Sequence, residues 1–408
     1  MNIKNLANKF SLISGLVLFS LIIRLLTVYF FRDSHIDNEW KILLENLVNY
    51  KSYSYYTFDN QLIPSAYMPP MYAFFLYSVK FTTHLDGISF VNTIIFIQVL
   101  LSSYSVYLFY QISQNFFSNR ISLINSIVFS IIPLNLYSCG QISSINLQVF
   151  FSLLFLKFLL LLINKKSGKG IYFFSIISGL LILTRGEFIL ILILIISLTF
   201  FYKKIKLIHL IKIATILLIV TSPYLIRNYI QFNQIFIVKS LGFNLWKGNN
   251  EFSTAEGYED LKRVEFKKLN EEINNLEKKN NYEPDRDRIF LNQAKINIRD
   301  NFFYYFKLSF KKAFSYYFFN VNSVYPNYYN LFHIMPILII SILSFPGIIT
   351  FFRKNNMQKK CLGLYLFTNI FIFSVFFILP RYKLIILPIQ IILAANFIIY
   401  IMNKYESK

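Results

Sequence analysis

Ten long apolar blocks constrain the fold of this chain more than any other feature of its sequence. Each block approaches or exceeds the roughly 20 residues that cross a bilayer as an α-helix. Hydrophobic residues make up 55% of the 408 residues and charged residues only 15%, whereas soluble domains carry about 25% charged residues. The sequence therefore predicts an all-α, polytopic transmembrane helix bundle of about ten spans, at 10–31, 88–111, 121–138, 146–163, 170–184, 187–201, 208–226, 331–352, 361–379 and 384–402.

The formal net charge of +21 is arranged around these spans. Lysine-rich turns separate alternate spans, around Lys165, Lys203 and Arg353. Cytoplasmic loops carry such clusters under the positive-inside rule. We therefore predict a multi-pass protein of the cytoplasmic membrane with both termini in the cytoplasm, and we expect no nucleic-acid partner.

With this orientation, two polar segments lie on the outer face. The first is the loop 32–87, in which the short apolar stretch 69–83 follows a Pro-Pro pair and contains Lys80; we predict an interfacial helix there. The second is 227–330, with helical spacing at 257–277, a break at 280–284 and a second helix from Asp285. The predicted division is therefore 1–31 (first span), 32–87 (outer catalytic loop), 88–226 (bundle), 227–330 (small helical outer segment) and 331–408 (last spans).

Charged residues surround the outer end of the first span. Asp37 and Glu39 follow it directly, and carboxylates beside a low-dielectric edge can act as a general base or bind a metal. The alternative is a solvated acidic loop. Arg24 lies inside the span, where it either snorkels outward or joins a polar cavity.

Three further cationic sites stand at outer ends of spans, against the inside bias. They are Arg185, Arg227, and Arg381 with Lys383. The arginine fork donates two hydrogen bonds to phosphate oxygens, so together they favour a phosphate-bearing substrate at the membrane edge. The alternatives are contact with lipid headgroups, or pairing of Arg185 with Glu187.

Five short motifs occur in a characteristic order. They are the acidic loop after span one, Ala-Tyr-x-Pro-Pro-x-Tyr at 66–72, Leu-Thr-Arg-Gly-Glu at 183–187, Pro-Tyr-x-x-Arg-Asn-Tyr at 223–229, and Arg-Tyr-x-x-x-x-x-Pro at 381–388. This order resembles the GT-C-type membrane glycosyltransferases, in the branch related to lipid A aminoarabinose transferase and protein O-mannosyltransferases. The resemblance covers most of the chain, from 24 to 388.

The resemblance implies roles for individual residues. Asp37 matches the catalytic aspartate, with Glu39 as its acidic neighbour. The predicted substrate contacts are Arg185, Arg227, Asn228, Arg381 and Lys383 at the phosphate end, and Tyr67, Asn244 and Asn249 in loops. Where relatives often carry an acid in the second outer turn, this chain has Asn146; we therefore expect no cofactor and no metal, with a divalent metal as the open alternative.

The implied reaction takes a sugar from a polyprenyl-phosphate donor and places it, with inversion, on a hydroxyl of a lipid, protein or glycan acceptor at the outer membrane face. Membrane lipids are the remaining expected partners. The alternative function is a transporter or flippase of lipid-linked saccharides. An ion-coupled transporter should carry carboxylates at mid-membrane, and the ten predicted spans contain none away from their ends.

Overall fold

A computed structural model describes residues 3–164, 169–353 and 356–406. These ranges form a helical bundle with one small β-hairpin in its first outer loop. The helices are α1 (Ile3–Phe30), α2 (Asn38–Tyr50), α3 (Pro70–Thr83), α4 (Gly87–Ser113), α5 (Asn119–Ile131), α6 (Pro133–Cys139), α7 (Ile145–Ile163), α8 (Gly170–Thr184), α9 (Phe188–Phe201), α10 (Leu207–Phe232), α11 (Leu241–Gly248), α12 (Lys267–Asn274), α13 (Tyr282–Asp300), α14 (Phe302–Tyr317), α15 (Leu331–Phe352), α16 (Met357–Val375) and α17 (Lys383–Glu406).

The apolar blocks fold as helices of unequal length. Within the described ranges, six are long and apolar enough to cross a membrane: α1, α4, α7, α10, α15 and α17. The pair α5 and α6 is bent by 58° at Pro133 and makes a seventh candidate if it counts as one span. Helices α8 and α9 are apolar but have only 15 and 14 residues, which reach about 20 Å at 1.5 Å per residue. The chain is therefore an all-α membrane bundle, but ten spans are not confirmed; Lys165, in one predicted inner turn, lies outside the described residues.

Arg24 does not snorkel. Its side chain is fully buried between helices. Its Nε donates to Ser102 Oγ of α4 at 2.8 Å, and its Nη1 donates to Ser20 Oγ at 2.6 Å and Ser130 Oγ of α5 at 3.2 Å. The arginine therefore joins three helices through hydroxyl groups, with none of its described hydrogen bonds made to a carboxylate.

The first outer loop contains the one structural class that the all-α prediction missed. Strands β1 (Ser54–Phe58) and β2 (Gln61–Pro64) form an antiparallel hairpin. Asp59 and Asn60 at its tip have φ values of 47° and 64°, and two consecutive left-handed residues are the signature of the tight hairpin turn that matches strand twist. A helix is present at the predicted place as α3, whose 14 residues are too few to cross a bilayer; its interfacial position stays a prediction.

The outer segment has its own hydrophobic cluster, apart from the main core of the bundle. It is built by α11, α12 and α13 around Trp246, which is fully buried; the other buried members are Phe243, Phe266, Leu269, Ile273, Phe290 and Ala294. The helix predicted at 257–277 is shorter than expected, because only α12 is α-helical there. Helix α13 begins at Tyr282, three residues before the predicted start, since a proline such as Pro284 is tolerated in a first helical turn.

Candidate functional site

Arg227, near the C-terminal end of α10, binds the main chain of the loop 32–87, the predicted first outer loop. Its Nη1 donates to Ser65 O at 2.7 Å and its Nη2 to Tyr53 O at 2.8 Å. The neighbouring Asn228 is buried, accepts from Arg227 and donates to Phe236 O. Both predicted substrate contacts therefore donate to backbone carbonyls. Arg227 fixes the two ends of the hairpin on the bundle.

A cavity of about 530 Å³ lies between the first outer loop and helices α8 and α10. We call it the outer cavity. Its walls are mainly apolar, with Leu183, Val220 and Phe74 among the lining residues, and it also meets Arg227 and Lys51. An apolar space with a few cationic groups suits a ligand that combines a hydrocarbon part with an anionic end.

A second polar cluster surrounds Asp33, which the sequence analysis did not select. Asp33 N donates to Gly140 O at 2.9 Å, and Ile142 N donates to Asp33 Oδ2 at 2.8 Å. The first outer loop is thus attached to the turn that follows α6. Burial raises the pKa of Asp33, Ile142 N–H opposes the shift, and the charge of Asp37 adds to it.

Asp37 and Glu39 lie at the start of α2, close to Asp33 in sequence. Asp37 occupies the N-cap position without a capping hydrogen bond. Its carboxylate pairs with His35 at 3.1 Å, and both side chains are well exposed, at 62% and 70%. Glu39, in the first turn, interacts electrostatically with Tyr67. Asp37 is therefore accessible, whereas Asp33 is the carboxylate whose position is fixed.

Arg185 and Arg381 both lie near the Tyr382 ring. The guanidinium carbon of Arg185 lies 4.4 Å from that ring centroid, and the corresponding distance for Arg381 is 6.0 Å. Arg185 also donates to Gln148 Oε1 at 3.1 Å. It lies 3.6 Å from Glu187, which agrees with the predicted alternative that these two residues pair. Arg381 interacts electrostatically with the hydroxyl of Tyr328, and Asp33 does so more weakly.

Lys383 has no donor left for a phosphate. It is 2% exposed, and its ammonium donates to Tyr316 O, Tyr317 O and Ser341 Oγ. The two tyrosine carbonyls end α14, where a cation complements the negative end of a helix dipole. Its three donors are thus used within the protein, and its contacts are those of a helix-end partner.

The predicted loop residues also turn inward. Asn249 is buried and donates to Leu245 O and Val375 O, while its Oδ1 accepts from Lys312. Asn244 is half-buried beside Ser240. This loop is attached to the end of α16, and the side chain of Asn249 is occupied there.

Tyr67 belongs to a turn that we call the elbow, residues 65–70. Its ring packs against Tyr55 and Phe243, and burial raises its pKa. The elbow also contacts Glu283 of α13, which the sequence analysis passed over as part of a helix break. Burial raises the pKa of Glu283 to about 7. Glu283 is recognised only by its contact with Tyr67, which lies more than 200 residues earlier in the sequence. A local sequence pattern cannot reveal such a contact.

No group of three His, Cys, Asp or Glu residues able to hold a metal ion occurs in ranges 3–164, 169–353 and 356–406. The expectation about metals and cofactors stays a prediction, because carboxylates such as Asp33 and Asp37 can also share an ion with a bound substrate.

Comparisons with known proteins identify the fold. The oligosaccharyltransferase AglB from Archaeoglobus fulgidus, solved with an inhibitory peptide and a dolichol-phosphate, matches 97% of this chain with a TM-score of 0.57 and 14% identity. ArnT from Cupriavidus metallidurans, solved with undecaprenyl phosphate, matches 94% with a TM-score of 0.55 and 11% identity. The chain spans 50% of the length of the first and 59% of the second. No family model and no curated protein matches.

The structural matches confirm the resemblance drawn from the motif order, at the level of the fold. A third match, the same archaeal oligosaccharyltransferase tethered to an acceptor peptide, has a TM-score of 0.58 over 97% of this chain, again at 14% identity. The chain therefore has the GT-C fold and is an integral membrane protein by its long apolar helices.

Proposed function

We propose that this chain is a membrane glycosyltransferase that transfers a sugar from a polyprenyl-phosphate donor to an acceptor hydroxyl at the outer membrane face. One observation carries the proposal: two enzymes that share its fold were solved with a polyprenyl phosphate. The outer cavity supports it, because an isoprenoid chain suits the apolar walls. The acceptor is a lipid, a protein or a glycan, and both termini lie in the cytoplasm.

The lipid end of the donor would occupy the outer cavity, and its phosphate would meet Arg185 and Arg381. Leu183 lines the cavity two residues before Arg185, and the guanidinium groups of Arg185 and Arg381 both lie near the Tyr382 ring. Planar guanidinium groups suit phosphate oxygens. Arg227 would support the cavity through the loop that it binds, a smaller role than the sequence predicted.

The chemistry would use the first-loop carboxylates. The acceptor oxygen attacks the anomeric carbon in line while the bond from that carbon to the phosphate oxygen breaks, so the configuration inverts. Asp37 takes the hydroxyl proton, and polyprenyl phosphate leaves with its charge stabilised by the arginines. Asp33 is hydrogen-bonded to the turn that follows α6. It would supply a second carboxylate there, where this chain has Asn146 in place of an acidic residue.

The experiment is transfer from polyprenyl-phosphate sugars by the purified protein in nanodiscs, with release of polyprenyl phosphate as the readout. We expect Asp37→Asn to lower turnover by about two to four powers of ten, the usual contribution of a general base, and Asp33→Asn to lower it less. Asp59→Asn, at the exposed hairpin tip, is the matched control. Normal turnover of Asp37→Asn would return that aspartate to the solvated loop, and movement of donor across the bilayer without bond cleavage would identify a flippase instead.

A further inference from the structure

The elbow is attached to the protein from several sides. Arg227 binds Ser65 O from α10, and Lys239 N donates to Ala66 O at 2.7 Å. Tyr53 OH donates to Met68 O at 2.8 Å. Residues at and beside the elbow, Pro64 and Pro70, line the outer cavity. The shape of the cavity therefore depends on where the elbow lies.

Glu283 makes the most extensive contact with the elbow. Its carboxylate accepts hydrogen bonds from three consecutive residues: Ser65 Oγ at 3.0 Å, Ala66 N, and Tyr67 N at 2.8 Å. The residue is 3% exposed, so water does not replace these partners. Without it, the buried N–H of Ala66 would lose its acceptor, and the N–H of Tyr67 would keep only a long contact of 3.4 Å to Ser65 Oγ; unsatisfied buried donors are rare in native proteins.

The surroundings of Glu283 contain cations but no ion pair. Arg286 of its own helix and Arg227 of α10 interact with it electrostatically, as do the hydroxyls of Tyr53, Tyr56 and Tyr224, with Tyr55 contributing more weakly. No lysine or arginine nitrogen in the described ranges lies within ion-pair distance of its carboxylate. Arg286 instead donates to Tyr56 OH at 2.8 Å.

We propose that Glu283 is a positioning residue: by holding the elbow through three hydrogen bonds, it sets the shape of the outer cavity and so the affinity for the lipid-linked donor. The proposal rests on the proposed function for the identity of the ligand. Glu283 thereby connects the segment 227–330 to the outer cavity, because α13 carries Glu283 while the elbow leads into α3.

Protonation of Glu283 should tune this contact. The neutral acid can donate to Ser65 Oγ while its other oxygen accepts from the two backbone N–H groups, so every polar atom keeps a partner. Burial raises the pKa of Glu283 to about 7 from 4.5, which means that the folded protein favours the neutral form. The contact is therefore strongest below pH 4.5, and it weakens as pH rises from there through 7. Donor affinity should fall in the same direction.

Two variants and one control test the proposal. Glu283→Gln keeps the pattern of the neutral acid, with an amide N–H₂ toward Ser65 and an oxygen toward the backbone, and removes the titration. Glu283→Ala leaves the N–H of Ala66 unsatisfied and the N–H of Tyr67 with only the long contact to Ser65 Oγ. Glu277→Gln, an exposed residue of the same segment, is the matched control.

The first measurement is the donor KM and the kcat between pH 6 and pH 8. We expect the wild-type KM to rise about three- to tenfold over this range while the Glu283→Gln KM stays level. Glu283→Ala should raise KM about tenfold or more at every pH, with kcat within about twofold. A wild-type KM that is flat with pH, or a Glu283→Gln KM that rises like the wild type, would overturn the proposal, and this remains decisive if Glu283→Ala fails to fold.

The second measurement is direct binding of undecaprenyl phosphate by native mass spectrometry, which requires no turnover. If the wild-type protein binds the lipid phosphate with the expected pH dependence but transfers no sugar, the proposed function fails and the role of Glu283 stands. Equal binding by wild type, Glu283→Gln and Glu283→Ala at pH 8 would remove Glu283 from the cavity. Absence of binding by every form would overturn both.

Discussion

Gly140 allows a close approach between the first outer loop and the turn after α6. A Cβ atom placed on it would lie 2.6 Å from Phe31 O and 3.3 Å from Arg32 Cα. Its own φ of −82° is open to any residue, so alanine would be strained by the contact alone. The main chain of residues 31–32 must therefore move away, and Asp33 moves with it because it follows them directly in the chain. This movement strains the hydrogen bonds of Asp33 to Gly140 O and Ile142 N.

The magnitude of this perturbation follows from three effects. Forcing a methyl group into a packed site costs about 1–3 kcal/mol. The two hydrogen bonds that fix Asp33 contribute about 1 kcal/mol each. A displacement of about 1 Å at a catalytic group can lower the rate by about 100-fold. We expect Gly140→Ala to reduce the free energy of unfolding by about 1–3 kcal/mol if the two hydrogen bonds survive, and by up to about 5 kcal/mol if both are lost, and to reduce turnover by about 10- to 100-fold.

The assay is steady-state sugar transfer by protein that has been checked for monodispersity and thermal stability in detergent. Gly15→Ala is the control, because a Cβ atom at Gly15 in α1 has no neighbour within 4 Å. Both variants add one methyl group to a membrane protein, but only one displaces Asp33. Wild-type turnover of Gly140→Ala would refute the argument that the fixed position of Asp33 matters for the reaction.

Three further predictions concern the arginines, the topology and the outer segment. Arg381→Lys should weaken donor use about tenfold or more, because lysine loses the bidentate fork; transfer by this variant is compared with Lys404→Arg, and equal activity would return Arg381 to a headgroup contact. Single cysteines at Lys80 and Asp285 should react with an impermeant reagent from one side and at Lys359 from the other; labelling of position 359 from outside would reverse the orientation. Trp246→Ala should destabilise the outer segment by about 3–5 kcal/mol, seen as faster proteolysis within 241–300, and an unchanged cleavage rate would show that this cluster is not its core.

The helical bundle could be predicted because its signal is local. Apolar blocks need only their own residues to form hydrogen-bonded helices in lipid, and those blocks became the six long helices and the shorter ones between them. Their number could not be read in the same way, since α8 and α9 depend on neighbours to accommodate their short length. The hairpin was missed because Asp59 and Asn60 look like any polar turn until two strands pair across them.

The residues of the candidate site also fall into two groups, those with a local sequence signal and those that depend on distant contacts. Asp37 and Arg381 could be chosen from residue type and position next to a span, and their roles remain predictions. Asp33 and Glu283 could not be chosen, because their partners Ile142 and Tyr67 lie far away in sequence. The inward contacts of Lys383 were equally invisible, since they depend on where α14 ends.

The buried guanidinium of Arg24 also bears on how the chain is assembled in the membrane. An arginine at the centre of a lone helix in lipid costs about 2.5–3.5 kcal/mol on the insertion scale, and the thirteen Leu, Ile, Val and Phe residues of 12–30 offset it at 0.3–0.6 kcal/mol each, or about 4–8 kcal/mol. The first helix can therefore enter the bilayer alone, but its polar partner Ser130 is synthesised 106 residues later. We expect a nascent chain that stops before α4 to leave this helix open to crosslinking by lipid, and a chain extended past α5 to protect it. Crosslinking that is equal for both lengths would show that the hydroxyl groups do not govern when the first helix joins its neighbours.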